Sequence, residues 1–195
     1  MPDLRTGRQR GSSADRADVK TLKTVGLVVL LIPIVLLLAS LFLPSRYRVE
    51  RSTLIRARPE AIFTCVNIPK KWPEWTAWTP TKYPDMQMAF TGPDAGAGAT
   101  YTWAGKTSGQ GTLKITRSDP DKGIAYALDF EHGKYLSDGG ILLEPSGDSV
   151  KVTWFNQGDL GWNPVSRYFG LLMDKMMGPD FEEGLENLRR KAESK

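Results

Sequence analysis

A chain of 195 residues with a net charge of +4 is long enough for one domain with a sizeable core and an additional segment. Its single cysteine excludes an intrachain disulfide, and its single histidine argues against a histidine-rich metal site or a Ser-His-Asp triad. Residues 1–24 carry +3 and residues 44–58 carry +4, which leaves −3 on residues 59–195. This distribution argues against a nucleic-acid-binding domain and fits contact of the flanking regions with anionic lipid headgroups.

The first predicted elements are a polar tail and a membrane helix. Residues 1–24 are polar and contain Gly and Ser, so disorder is expected there. Residues 25–43, VGLVVLLIPIVLLLASLFL, are uncharged, and a helix of this length spans roughly 28 Å, close to the hydrocarbon thickness of a bilayer. The run is longer than the apolar region of a signal peptide, about 7–15 residues, and no A-x-A sequence follows it. We therefore predict an uncleaved transmembrane helix over residues 25–43.

The orientation of this helix is not fixed by charge. Basic residues lie on both sides of it, so the positive-inside rule gives no clear answer. A short tail followed by an apolar run is typical of a signal anchor. That pattern favours the N-terminus inside and the domain, residues 44–195, outside.

The domain begins with a strand and two short helical segments, and a series of strands follows. Tyr47–Ile55 alternates and contains no Gly or Pro, which predicts a strand. RPEAIFTCVN places Pro59 at a helix start, and IPKKWPEW is a short helix or turn interrupted by Pro73. Six segments of period two then alternate with Gly, Asp and Pro turn clusters, which predicts an antiparallel meander: MQMAFT, ATYTWA, GTLKITRS, GIAYALDF, GGILLEP and SVKVTWF.

The last predicted element is helical. Asn163 is a good N-cap, Pro164 suits the first helical position, and apolar residues follow at helical spacing. Gly178-Pro179 should break or kink the run before a second helix continues the apolar stripe. In the strands, one parity is bulky and apolar, so one face of the sheet is buried. A curved sheet wrapped around the terminal helix is the simplest packing.

This order of elements resembles the START-like superfamily, also called SRPBCC or Bet v 1-like. Within it, the chain is similar to the bacterial polyketide cyclase/dehydrase branch, which includes members with an N-terminal membrane helix. The resemblance covers about residues 45–195. The stretches that carry it are RSTLIRARPEAIF (51–63), WPEWTAW (72–78), GAGATYTWAG (96–105), VTWFNQGDL (152–160) and RYFGLLMDKMMGPDFEEGLENLRR (167–190).

The resemblance implies an α+β helix-grip fold, in which a seven-stranded antiparallel sheet wraps around a long C-terminal helix, here preceded by one transmembrane helix. Such folds hold a cavity between sheet and helix for lipids, sterols, polyketides or other apolar molecules. For a bacterial chain with one such helix we expect the inner membrane as the location, and the signal-anchor pattern described above favours the periplasmic side for the domain. The resemblance implies no single activity, because one fold hosts many functions.

The candidate cavity residues are aromatic and sulfur-containing side chains. Trp75 and Trp78 follow the short helices and either plug one end of the sheet or line the cavity, while Trp72 beside two lysines could instead lie at a membrane interface. Core packing is the simpler interpretation for the strand residues, and buried Tyr and Trp also need partners for their polar atoms. The predicted ligand-binding set is Trp75, Trp78, Tyr101, Trp103, Tyr126, Trp154, Phe169 and Met173.

No charged group is a clear catalytic residue. Arg167, Asp174 and Asp159 are the charges considered near the cavity, and a solvated helix face is the favoured interpretation of the first two. Cys65 is expected to be a small buried residue and not a nucleophile. The sequence contains no P-loop, dinucleotide-binding fingerprint or metal-ligand cluster, so we expect no cofactor and no metal.

Three functions therefore remain open. The favoured one is a membrane-anchored domain that binds a hydrophobic small molecule or lipid. The second is a non-catalytic accessory subunit whose helix docks into a larger membrane-protein assembly. The third is a cyclase- or dehydratase-like enzyme, which ranks last because no acid/base pair stands out.

Overall fold

The computed structural model describes residues 13–194 and divides the chain into two compact units, residues 1–43 and 44–195. The first unit contains helix α1 (Ser13–Ser40), in which the aliphatic side chains of Leu27, Leu30 and Leu38 are more than half exposed. Among the residues described, no helix combines the length and the apolarity needed to cross a membrane, so the transmembrane prediction is not confirmed. Of the predicted polar tail, residues 1–12 lie outside the described residues and residues 13–24 belong to α1.

The second unit is built on a seven-stranded antiparallel sheet, as the sequence predicts. The strands lie in the order β1-β7-β6-β5-β4-β3-β2, so the first and last strands of the chain are neighbours. Between β1 and β2 the chain forms α2 (Pro59–Val66) and a short 3₁₀ helix (Pro69–Glu74). The strands are β1 (Arg46–Ile55), β2 (Gln87–Thr91), β3 (Thr100–Gly105), β4 (Gly109–Asp119), β5 (Gly123–Phe130), β6 (Tyr135–Ser146) and β7 (Ser149–Asp159).

The core lies on one face of this sheet, as the alternation of apolar residues predicts. Directly opposite residues of antiparallel strands point to the same face, and one parity of each strand is buried. On β5 this parity begins with Ile124 and Tyr126, and on β7 it includes Val152 and Trp154. Phe181, Leu185 and Leu188 of the C-terminal helix are buried against the same core.

The C-terminal segment forms two helices, but it does not break where the sequence predicts. Asn163 caps α3 (Pro164–Gly170) as expected, because its Oδ1 accepts hydrogen bonds from the amides of Val165 and Ser166. The change of helix comes at Leu171 and Leu172, and α4 (Met173–Glu193) runs without interruption through Gly178 and Pro179. Of the predicted break or kink at Gly178-Pro179, the break is therefore wrong.

An ion-pair clamp from β1 explains why α4 stays intact at this point. Arg51 binds Asp174 with two hydrogen bonds of 2.7 and 3.0 Å and binds Glu182 with a third of 2.5 Å. These two carboxylates lie one turn before and one turn after Gly178, whose missing side chain leaves room for the guanidinium. The contacts on both sides hold the helix against β1 across the position where Pro179 removes a backbone donor.

The clamp predicts a pH-dependent stability. The Arg51 guanidinium lowers the pKa of Asp174, so the contribution of this pair is present above the pKa of the unfolded carboxyl and is lost as the pH falls through the lower folded pKa. Asp174→Asn removes the charge and keeps the shape. We expect the variant to melt at a lower temperature than the parent chain at pH 7, and the difference to disappear in acid. Circular dichroism melts at several pH values measure this.

Glu186→Gln is the matched control. Arg189 also lowers the pKa of Glu186, but the two residues lie three positions apart on the same helix. This exposed pair joins no other element, so its removal should change the melting temperature less. Equal losses in the two variants would contradict a role of the clamp in holding α4 to β1.

Candidate functional site

The strand register places a continuous set of aromatic and polar side chains on the inner face of the sheet. Residues directly opposite one another on neighbouring strands form rows across this face. The last row has half-buried or exposed side chains, and we call it the open end. It consists of Met88, Trp103, Gly111, Phe130 and Tyr135. The next row inward reads Phe90, Tyr101, Leu113, Leu128, Ser137, Gly158 and Tyr47. The open end therefore leads directly to several hydroxyl groups.

Beyond these rows, the inner face is filled by tryptophans. The Trp154 ring stacks on Phe181 of α4 at a centroid distance of 4.3 Å, with the planes within 3° of parallel. Trp75 and Trp78 meet the same ring at 5.2 and 5.9 Å in edge-on geometry. Trp72 lies 6.2 Å from Trp154, so three tryptophans from one short segment close this part of the core. Edge-on and offset arrangements are those that aromatic quadrupoles favour.

The tryptophans also complete the end of α2. The indole N–H of Trp72 donates to the Val66 carbonyl at 2.8 Å, and that of Trp75 donates to the Cys65 carbonyl at 3.2 Å. Both carbonyls belong to the last turn of α2, where backbone acceptors have no partner within the helix. The segment that follows α2 thus satisfies its carbonyls and fills the core with the same two side chains.

A polar network lies beside the aromatic layer. The Trp154 indole donates to the Tyr126 hydroxyl at 3.0 Å, and that hydroxyl donates to the Phe155 carbonyl at 3.2 Å. The Tyr47 hydroxyl donates to Asn156 Oδ1 at 3.0 Å, and Asn156 Nδ2 donates to Ser137 Oγ at 3.1 Å. Buried polar groups of this kind need partners, and here the partners come from β1, β5, β6 and β7.

Glycines make room for the tyrosine and tryptophan rings on this face. A Cβ on Gly111 would lie 2.5 Å from the Trp103 ring, and one on Gly158 would lie 2.7 Å from the Tyr47 ring. A Cβ on Gly139 would overlap the end of the Tyr126 ring. Each glycine lies directly opposite the aromatic residue that covers it. Because these glycines have no side chain, the rings can lie flat on the sheet above them.

The tyrosine hydroxyls of this face are neutral hydrogen-bonding groups. Burial raises the pKa of Tyr101, Tyr126 and Tyr47 above the ordinary value of tyrosine. Among the described residues, the Tyr101 hydroxyl finds no hydrogen-bond partner. The arrangement can donate hydrogen bonds to a neutral polar group, and it holds no ionised tyrosine that could act as a base near pH 7.

Comparison with known proteins identifies the family. Residues 46–193 match the family model described as polyketide cyclase/dehydrase and lipid transport. The chain belongs to this family. The match covers all seven strands and the helices α2 to α4, and it supports the START-like superfamily that the sequence resembles. A comparison with curated proteins gives no match.

Solved structures share the fold of this polyketide cyclase/dehydrase family member. Protein jhp0584 from Helicobacter pylori aligns over 74% of this chain and 87% of its own, with a TM-score of 0.56 and 9% identity. Protein MLL2253 from Mesorhizobium loti aligns over 73% and 97%, with a TM-score of 0.53 and 16% identity. Ara h 8.0201 aligns over 77% and 99%, with a TM-score of 0.52 and 14% identity. Identities this low establish the helix-grip fold alone.

The structure brings most of the predicted ligand-binding residues together. Six of them lie in the aromatic layer or in the adjoining rows of the family fold: Trp75, Trp78, Tyr101, Trp103, Tyr126 and Trp154. Met173 is half-buried against the core at the start of α4. Phe169 lies elsewhere, since it is 53% exposed on α3.

Three residues of the polar network were missed by the sequence analysis. Tyr47, Ser137 and Asn156 share the parity of their buried neighbours, so a polar residue at an apolar position is the signal that could have found them. Asn156 is the clearest case, because it continues the buried parity of Val152 and Trp154.

The structure also tests the predictions made for Cys65, Trp72 and the charged residues near the cavity. Cys65 is fully buried, as expected. The alternative of Trp72 at a membrane interface is wrong, because its ring is 2% exposed and lies among other aromatic rings. Asp174 pairs with Arg51, and Arg167 is buried on α3, where its Nε donates to the Gly161 carbonyl.

An open groove lies away from the inner face. It has a volume of about 490 Å³ and runs between residues 73–79 and the outer side of α4. Most of its lining side chains are polar or charged, including the paired Glu74 and Lys191. This groove does not have the apolar lining that was predicted for the ligand cavity.

The glycine beneath Tyr126 gives a test of this site. The Tyr126 ring is buried and hydrogen-bonded, so it cannot move aside for a methyl group. We expect Gly139→Ala to lower the free energy of unfolding by about 1–3 kcal/mol through overpacking. Denaturant melts measure the loss. In a Tyr126→Leu background the methyl group has room, so the same substitution should cost less; an undiminished cost there would contradict the proposed contact.

Proposed function

We propose that the domain binds a hydrophobic small molecule or lipid at the open end, with one neutral polar group of the ligand reaching the tyrosine hydroxyls. The observation that carries the proposal is the composition of the inner face. Half-buried Met88, Trp103 and Leu128 surround a small number of hydrogen-bonding groups. Apolar walls with a few convergent polar atoms are the usual composition of a small-molecule site.

The Tyr101 hydroxyl supports a polar contact in the ligand. It lies one row inside the open end, its ring contacts Trp103 at 5.5 Å, and it has no hydrogen-bond partner among the described residues. Among the described side chains only Thr153 Oγ1 is both fully buried and without a partner, so the Tyr101 oxygen keeps some accessible surface. A carbonyl or hydroxyl oxygen of a bound molecule would supply a hydrogen-bond partner, and the Ser137 hydroxyl, three strands away in the same row, offers a second polar contact.

The family supports a ligand of this class. The matching family is described by polyketide cyclases and dehydrases together with lipid transport, and both classes handle largely apolar molecules. The tyrosines of this site are neutral, and the exposed carboxylate of Asp174 on α4 is held by Arg51. Binding is therefore the favoured function, and a cyclase-like reaction stays third.

The proposal includes attachment to a membrane through residues 25–43. Its support is the uncharged run in the sequence and the exposed aliphatic side chains of α1. An aliphatic surface of this extent is costly to leave in water. Attachment would keep the open end close to the phase in which an apolar ligand dissolves.

The accessory-subunit interpretation also has an observation in its favour. Trp75, Trp154 and Phe181 are almost completely buried and fill the space between the sheet and α4. A domain whose inner face is this full could serve as a non-catalytic partner in a membrane assembly. The two interpretations differ in whether the open end takes up a ligand.

Native mass spectrometry of residues 44–195 with a bacterial lipid extract tests the binding proposal. These residues contain all seven strands and their own core, so they provide the complete site. We expect a one-to-one apolar adduct. Leu128→Ala at the open side of the inner face should weaken it roughly tenfold, since truncating a contacting leucine removes apolar contact worth about 1.5 kcal/mol.

Leu54→Ala is the matched control, because Leu54 is exposed on the opposite face of the sheet. It should leave the adduct unchanged. Ser137→Ala should weaken an adduct that carries a polar group and leave a pure hydrocarbon unaffected. A mass without adduct at every lipid concentration would overturn the binding proposal and favour the accessory subunit.

We further propose that the chain is attached to the bacterial inner membrane with residues 44–195 on the periplasmic side. A reporter fused after Lys195 tests this location. Alkaline phosphatase, which is active only in the periplasm, should be active in that fusion, and a cytoplasmic fluorescent reporter should be dark. The opposite pattern would reverse the orientation, and recovery of the chain in the soluble fraction would contradict attachment.

A further inference from the structure

An exposed apolar stripe runs along α3 and the first turn of α4. Its five side chains are between 49% and 83% exposed: Trp162, Val165, Phe169, Leu172 and Met176. The last four are spaced by four, three and four residues, which keeps side chains on one side of a helix, and Trp162 lies in the turn just before the helix cap Asn163. No residue of this stripe takes part in the inner-face site described above.

The backbone keeps the stripe continuous across the change of helix. Leu171 and Leu172 retain right-handed helical angles. Their amides donate to the carbonyls of Tyr168 and Phe169, and the Met176 amide donates to the Leu172 carbonyl at 2.9 Å. The other side of the same segment faces the domain, since Arg167 is buried and Met173 and Met177 pack against the core.

The stripe begins at the end of the domain that lies next to the apolar run in the chain. The Leu160 amide donates to the Ser45 carbonyl at 2.6 Å, and Ser45 follows the apolar residues 25–43 by two positions. Trp162 follows Leu160 by two. The open end lies at this same end of the sheet, because Ser137 of β6 and Tyr47 of β1 both pair with Gly158.

Charge at this end does not favour an acidic or a basic protein partner. Arg46 pairs with Asp159 at 3.7 Å and Arg48 pairs with Glu50 at 2.5 Å. The Arg167 guanidinium lies 5.2 Å from the centre of the Trp162 ring. Arg167 itself is buried, but the exposed Trp162 ring suits the interface between headgroups and acyl chains, where an amphipathic ring is stable.

We propose that the stripe Trp162–Met176 contacts the surface of a phospholipid bilayer and holds the open end of the sheet against the lipid. This inference rests on the proposed function, which it extends by naming the surface through which an apolar ligand reaches the site. Because the five side chains of the stripe are uncharged and Arg46 and Arg48 are paired, the contact is driven mainly by apolar burial. It should therefore form on zwitterionic phosphatidylcholine and persist at high salt.

Spin-label depth measurements on the full chain in phosphatidylcholine nanodiscs test the contact. Nitroxide is attached at Leu172→Cys and, in a second variant, at Val165→Cys, both at exposed positions outside the core. Cys65 is fully buried, so the parent chain is the labelling blank. We expect both labels to collide more often with dissolved oxygen than with a water-soluble nickel complex, at low and at high salt.

Leu54→Cys is the matched control, since Leu54 is a leucine of similar exposure near the far end of β1. Its label should show the reverse preference and favour the nickel complex. Water-like accessibility at positions 165 and 172 would overturn the bilayer contact, as would strong dipolar coupling between labels on two copies, which would make the stripe a dimer surface.

The spin-label test of the stripe and the mass-spectrometry test of ligand binding can fail independently. Native mass spectrometry of residues 44–195 reports ligand binding without a bilayer. A lipid adduct combined with water-exposed labels would retain the binding function and reject the stripe. Buried labels without an adduct would retain the bilayer contact of the stripe but reject its role in ligand access.

Discussion

The packing of Trp154 is the interaction on which the rest of the domain depends. Its ring stacks on Phe181, which fixes α4 against the sheet, and its edge meets Trp75 and Trp78 from the segment after α2. Its indole N–H reaches the Tyr126 hydroxyl and so joins the aromatic layer to the polar network. This one side chain of β7 therefore contacts α4, β5 and the segment after α2. These contacts require a large flat ring with a hydrogen-bond donor at its edge.

The inner face combines large rings with missing side chains. Gly111, Gly139 and Gly158 lie under aromatic rings, and this alternation of large and absent side chains gives the sheet a surface that can curve and still be covered. The Arg51 clamp has a similar logic, because Gly178 leaves space for the guanidinium between two carboxylates. Under the aromatic rings and beside Arg51, a glycine leaves the space that a long or planar side chain occupies.

Much of this fold could be predicted from the sequence because its signals are local. The alternation of apolar and polar residues predicted the strands, and the N-cap residue Asn163 predicted the start of α3. The break expected at Gly178-Pro179 is absent, and Arg51, more than a hundred residues away in the chain, binds a carboxylate one turn before it and one turn after it. Phe169 has the helical spacing of a core residue but lies on the exposed side, since periodicity defines a stripe without saying which surface it meets. The Tyr47–Asn156–Ser137 network needed the register of three strands, which no local pattern contains.

The two ends of the inner face differ in burial and in hydrogen bonding. Toward α2, Trp72 and Trp75 donate to helix carbonyls and leave almost no surface exposed, so this end is closed by hydrogen bonds as well as by packing. Toward Tyr135, the rings are half-exposed and the sheet ends without a cover from α2 or the tryptophan segment. Opening the end toward α2 would break the hydrogen bonds of Trp72 and Trp75 to the helix carbonyls. The end near Tyr135 also carries the start of β1, whereas the tryptophans of KKWPEWTAWTP pack against Trp154 and the end of α2.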